Sequence, residues 1–326
     1  MTYEEFLDYV KESLEKVLEG KQEGKEVRIH RVLKNNDIEL DALIVTDADT
    51  NISPTIYLNG YYDEYENGRY LGDIVNEIYN LYEDHKDKIL FDVDLFGDFA
   101  KVKKRIAFKV INSKSNDKLL NEVPYMPFLD LAIVFYAIID TELTGSATVL
   151  IHNDHLEMWE ITLDELYETA KENTPKILPS EIKSMDSIIK SMLIKELEKD
   201  EEISKIVRES GDESYYEVVA DEKYDQINGL KKDIKMYVLS NKSKMNGAAC
   251  ILYDQVLEKF SKKVKKDLFI LPSSVHEVIL VPAVKGISKT ELTNMVKEVN
   301  TEAVEEGEIL SDHVYLYRMD SKKICM

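Results

Sequence analysis

His276 and Glu277 sit inside an otherwise apolar run, Val275 to Pro282, and an imidazole beside a carboxylate is the equipment of metal binding or general-base work. Zinc-protease signatures place a second histidine four residues after the first on a helix, with the glutamate as base. Here the fourth position is Leu280. Val278 to Val281 moreover reads as a strand, where successive side chains point to opposite faces, so His276 and Glu277 are expected to diverge and not to share a site. The plainer reading is a histidine hydrogen-bonded at a strand start and a glutamate near a solvent edge.

A second polar cluster, His152-Asn153-Asp154-His155, follows a predicted strand. Its imidazoles and carboxylate suit a divalent ion, but turn chemistry explains the same four residues and is preferred. His152, His155 and His276 are therefore only weak metal candidates. Ser273, Ser274 and His276 offer a nucleophile and a base, yet no G-x-S-x-G elbow surrounds the serines. Cys250 lies in an apolar run, where burial would raise its pKa and leave it inert. Neither G-x-G-x-x-G nor G-x-x-x-x-G-K-[ST] occurs, so no nucleotide cradle is visible and no cofactor is expected.

The elements that would carry these residues are legible as hairpins followed by helices. Thr2 and Glu5 form a capping box ahead of Phe6, Val10, Leu14 and Val17 at helical spacing. VRIHRVL and IELDALIV flank a turn at Lys34 to Asp37, and PTIYLNGYY reads as a further strand before a helix bearing Leu71, Ile74, Val75, Ile78 and Leu81. Lys103 to Ile111 reads as a strand. Leu129 to Ile139 and Ala147 to Ile151 read as a hairpin joined at Thr144-Gly145, with a capped helix from Thr162. MYVLSN and GAACILY read as a hairpin, LFIL and VHEVILVP as two strands about a Pro272-Ser273-Ser274 corner, and Ser288 with Glu291 caps a last helix. The pattern is α+β: repeated ββα units in mainly antiparallel sheets covered by helices, in about two domains. We divide it as 1–178, an N-terminal α+β domain; 179–230, a charged helical linker or insertion; and 231–326, a ββα-ββα-β domain. Within 179–230, Ile182 to Leu193 suggests one helix, YYEVVA carries the strand signal, and Asp200 to Asp225 looks solvated.

Sixty-three acidic against 42 basic residues give a net charge of −21, which opposes phosphate backbones and anionic membranes. The chain opens MTYEEFLDYVKE, unlike a secretory signal, and LDLAIVFYAIID is too short to span a bilayer. A cytoplasmic location is expected. The tyrosines 57, 61, 62, 65 and 70 mix with acidic residues, which favours core-edge packing over nucleic-acid stacking, with a protein-binding face second.

Several strings, PTIYLNGYYDEYENG, LDLAIVFYAII, WEITLDELYETAKENTPKI, NGAACILY and LPSSVHEVILVP, together resemble an uncharacterised bacterial family, the domain of unknown function DUF5688, found mainly in anaerobes. The resemblance spans most of the chain and its last block is the most specific. WEITLDELYETAKENT is also similar to a second uncharacterised bacterial family. Neither implies an activity, a cofactor or a catalytic residue. The residues therefore lead to a soluble cytoplasmic binding or interaction protein without catalytic activity, its partner a protein or small molecule, with neither nucleic acid nor membrane expected. Its contact surface is placed at Asn241, Asn246, Gly247, Pro272, Ser273, Ser274 and His276. The alternatives are a hydrolase or metal-dependent enzyme using His152, His155 and His276, and an acidic protein that mimics DNA.

Overall fold

A computed structural model describes residues 1–20, 25–46, 54–85, 96–139, 147–228 and 234–326. The fold is α+β with antiparallel sheets. It forms two compact units, residues 1–108, 113–126 and 133–173, and residues 109–112, 127–132 and 174–326.

In the first unit, α1 (Tyr3–Glu19) starts at the capping box in which Thr2 and Glu5 satisfy each other's backbone. It buries Phe6, Val10, Leu14 and Leu18. The last contact falls on Leu18 and not on Val17, because i+4 keeps the stripe on one face. That stripe packs with β1 (Glu26–Leu33), β2 (Glu39–Thr46) and β3 (Ile56–Tyr57), an antiparallel sheet of order β1-β2-β3. The expected strand PTIYLNGYY is cut short after Tyr57: Asn59 opens α2 (Asn59–Glu66), and Tyr62 and Tyr65 pack against Phe6. α3 (Leu71–His85) closes this core through Ile74, Val75, Ile78 and Tyr82.

Next come α4 (Phe99–Val102), β4 (Ile106–Asn112), α5 (Asp117–Leu120), β5 (Tyr125–Phe128), β6 (Leu131–Ile139) and β7 (Ala147–Leu150). β6 lies between β4 and β5 in the sheet, with β7 also antiparallel to it. The expected hairpin of β6 and β7 forms, while its Thr144-Gly145 joint lies outside the described residues. α6 (Asn153–Trp159) and α7 (Leu163–Ile177) follow, and the Thr162 hydroxyl accepts from the Glu165 amide at 3.2 Å as the cap predicts.

The second unit is built on six antiparallel strands of order β13-β12-β10-β11-β9-β8. β8 (Ser180–Ser184) is a strand where a helix is expected from Ile182, and α8 (Met185–Leu197) starts only after it. α9 (Glu201–Ser210) and α10 (Ser214–Asn228) then cover the charged segment, and YYEVVA, expected to carry a strand signal, lies within α10. YYEVVA is helical because its neighbours supply a helical partner: Lys190 reaches Asp221 at 2.6 Å and Tyr224 donates to Asp186 at 2.5 Å. β9 (Tyr237–Asn241) leads into α11 (Val256–Val264), then β10 (Leu268–Ser274), β11 (Glu277–Pro282), α12 (Lys289–Glu302), β12 (Tyr315–Arg318) and β13 (Lys323–Cys325). Leu292 and Val296 of α12 pack on Leu271, Val281 and Val314.

Candidate functional site

GAACIL, expected as the partner strand of β9, is a 3-10 helix from Gly247 to Leu252. An apolar run this short does not distinguish strand from buried helix, and backbone placement decides. Asn246 enters in the left-handed region at φ 55, and Gly247 lies against the end of β9 and the next hairpin. Cys250 is thus buried in a 3-10 turn and not in a strand, and burial pushes its thiol up to about 12, which removes it as a nucleophile.

The hairpin it abuts turns later than expected. Pro272-Ser273-Ser274 belongs to β10, in a bulge between Leu271 and Ser274, and the turn is Val275-His276. A bulge tolerates proline because the missing donor falls where the ladder is already interrupted. His276 consequently stands in the turn, outside the pleat, so strand alternation does not separate it from Glu277. Its carboxylate partner is instead Glu308, 32 positions on, whose Oε1 lies 3.1 Å from Nε2.

Each polar atom of His276 is engaged. Nδ1 accepts the Asn246 amide at 3.2 Å, which leaves the ring proton on Nε2, facing Glu308. Its carbonyl accepts the Ser240 hydroxyl at 2.7 Å and its amide donates to the Ser274 hydroxyl at 3.0 Å. In the loop opposite, buried Asn241 donates through Nδ2 to the Met245 carbonyl at 2.7 Å and accepts from the Ser243 hydroxyl at 2.8 Å. Five of the expected contact residues, Asn241, Asn246, Gly247, Ser274 and His276, thus come together, with Pro272 and Ser273 farther back along β10. Lys242, Ser243 and Lys244 form the exposed tip. Lys244 and Asn246 both hold positive φ, which costs a non-glycine residue about 1–2 kcal/mol, less for asparagine.

His152 and His155 belong to the first unit and serve α6 itself. His155 Nδ1 accepts the His152 amide at 2.9 Å while its ring stacks on Trp159, centroids 5.5 Å apart. Burial, then the neighbouring His152, lowers the pKa of His155, which favours the neutral ring. Among the described residues no three His, Cys, Asp or Glu side chains gather as a metal set.

Sequence reasoning missed a second histidine-carboxylate pair. Asp130 sits in the two-residue turn between β5 and β6, after Leu129 at φ 55. Its Oδ2 accepts the Ser311 hydroxyl at 2.6 Å and lies 3.0 Å from His313 Nδ1, and its Oδ1 accepts the Tyr315 hydroxyl at 2.7 Å. Burial works to raise the pKa of Asp130, but the donors from Ser311, Tyr315 and His313 outweigh it and hold the carboxyl below its usual range. Tyr315 is pushed up, first by burial and also by that carboxylate. This is not a nucleophilic triad: Ser311 gives its proton to Asp130, whereas a triad serine faces the far nitrogen of the histidine. The signal was present in the spacing. Ser311, His313 and Tyr315 alternate, which in extended chain puts all three on one side.

Among the described residues no helix is long and apolar enough to cross a membrane. The family model of DUF5688, a family of unknown function, matches residues 3–319. No curated protein and no solved structure matches the chain.

Proposed function

Since the chain belongs to DUF5688, whose function is unknown, we propose its role from the second unit: a cytoplasmic binding or interaction protein without chemistry of its own, whose contact surface is the loop Asn241–Gly247 on the Val275-His276 turn. What supports the reading is the fit of Gly247. A Cβ there would lie 2.1 Å from Ser240 Oγ and 2.4 Å from the His276 carbonyl, so the loop is moulded onto the turn. A pre-shaped loop contributes contact without the entropy cost of ordering it on binding. Its tip presents two lysines on a chain of net charge −21, which suits a partner bearing carboxylates locally. Affinity purification from native cells at moderate salt should retain a partner or ligand that Lys242→Glu/Lys244→Glu binds at least about tenfold more weakly, with circular dichroism unchanged. Retention of nothing, or equal retention after charge reversal, removes the reading.

A second reading keeps an enzyme but moves its base from His152, His155 and His276 to His313. Its Nδ1 is oriented by Asp130, its side chain is 56% exposed, and Nε2 has no partner among the described residues. That is the form of a general base, whose removal costs about a hundredfold or more in rate. A broad hydrolase screen that finds an activity reduced by that factor in His313→Ala would support it. An activity indifferent to the substitution, or none, would not.

A further inference from the structure

We propose that His276 is a proton-operated latch on the loop Asn241–Gly247: the neutral ring holds the loop by accepting the Asn246 amide, and a second ring proton releases it. The latch regulates the contact surface proposed above and in that sense rests on that reading, although its operation requires no partner.

The inference comes from donor and acceptor count. Nδ1 has one lone pair, and the Asn246 N–H points at it from 3.2 Å. An imidazolium carries N–H on both nitrogens, so protonation sets donor against donor at that position. On the other side of the ring the same event strengthens the bond, because Glu308 Oε1 then faces a cation at 3.1 Å. The ring is thereby drawn toward the 3-10 turn Glu306–Glu308 and away from the loop. That turn is itself anchored to the hairpin, since the Val275 amide donates to the Glu308 carbonyl at 2.9 Å, so the hairpin keeps its place while the loop yields.

Glu308 is a charged group in contact with the ring, and Glu306 lies in the same 3-10 turn. β10 and β9 contribute the Ser274 and Ser240 hydroxyls to its backbone, Glu277 follows it into β11, and Lys242 and Lys244 stand exposed on the loop. Lys244 and Asn246 both hold positive φ, and the hydrogen bond from the Asn246 amide to the ring holds that end of the loop. Movement is confined, because Ala248 donates to the Val275 carbonyl at 3.2 Å and no titrating atom takes part in that bond.

The test is hydrogen exchange detected by NMR on the full chain, reported as protection factors for the Asn246 and Ala248 amides from about pH 8 to about pH 5, with the His276 ring nitrogens followed in the same samples. We expect the Nε2–H tautomer at the higher pH, and at least a tenfold fall in Asn246 protection as the ring protonates while Ala248 is unchanged. His276→Gln, whose amide oxygen accepts without titrating, should keep Asn246 protected throughout. An Nδ1–H tautomer at the higher pH, or constant Asn246 protection while the wild-type ring protonates, overturns the latch without need of the variant. The two readings fail differently: a chain with no partner at either pH but with pH-dependent Asn246 exchange loses only the binding reading, and a chain that binds equally at both pH values with Asn246 always protected loses only the latch.

Discussion

Asp130→Ala should destabilise the second unit by about 3–5 kcal/mol. The substitution strands two buried hydroxyls at once, Tyr315 with no exposure and Ser311 at 1%. Each was donating to the lost carboxylate, and an orphaned buried donor costs about 1–3 kcal/mol. His313, being exposed, can turn to water and adds little. Asp130→Asn keeps the shape and one acceptor and should cost about 1–2 kcal/mol. Amide exchange in β10 and β12 is the appropriate readout, because the chain's one tryptophan, Trp159, belongs to the first unit. An alanine variant within about 1 kcal/mol of wild type would mean that Asp130 does not hold Ser311 and Tyr315 in place. The dependence on pH has a definite sign. Folding depresses this carboxyl, so its contribution is complete above the unfolded aspartate value of about 3.9 and disappears as pH falls through the lower folded value. The gap between wild type and Asp130→Asn should therefore be constant near neutrality and close only below about pH 4.

The parts of the fold that were legible in the sequence are those fixed by neighbours in the chain. Thr2 with Glu5 and Ser288 with Glu291 satisfy each other across one helical turn, and both boxes form where the spacing puts them. The continuous apolar runs of β6 and of Leu268–Leu271 in β10 are strands. The misreadings share another cause, a short segment whose composition suits two states and whose state is decided at a distance. GAACIL becomes a 3-10 helix because its first residue must fit under Ser240 and His276. YYEVVA is β-branched and aromatic, yet lies in α10 against α8. Proline and two serines look like a corner, and a bulge absorbs them into β10.

The same division runs through the candidate site. His276 stood out because it interrupts an apolar run, a local signal, whereas its partners Asn246 and Glu308 lie 30 positions before it and 32 after it. Asp130 and His313 are 183 positions apart, and no window on the sequence joins them. Only the alternation of Ser311, His313 and Tyr315 was there to be read, and it identifies a shared face without saying what occupies it. The β10–β12 pairing places Tyr315 beside Ile270, and that register lies outside any local window on the sequence.

Gly247→Ala should be the most damaging of the small substitutions, at about 3 kcal/mol, at or above the usual upper range for overpacking. The added carbon would lie 2.4 Å from the His276 carbonyl and 2.8 Å from the Asn241 amide, backbone atoms with no rotamer to yield. Its nearest neighbour, Ser240 Oγ at 2.1 Å, can rotate away only by giving up its 2.7 Å bond to the same carbonyl. Adding Ser240→Ala to Gly247→Ala should thus recover part of the loss and never all of it, since the backbone contacts persist, and the two substitutions should be non-additive. Gly60→Ala in α2 is the matched control. Nothing lies within 4 Å of a carbon built there, and alanine in a helix is favoured over glycine by about 0.5–1 kcal/mol. Thermal and urea unfolding of the two variants should therefore move in opposite directions. If Gly247→Ala stays within about 1 kcal/mol of wild type, the loop can draw back from the turn at little cost, and the moulded fit of loop to hairpin, on which both the contact surface and the latch depend, does not exist.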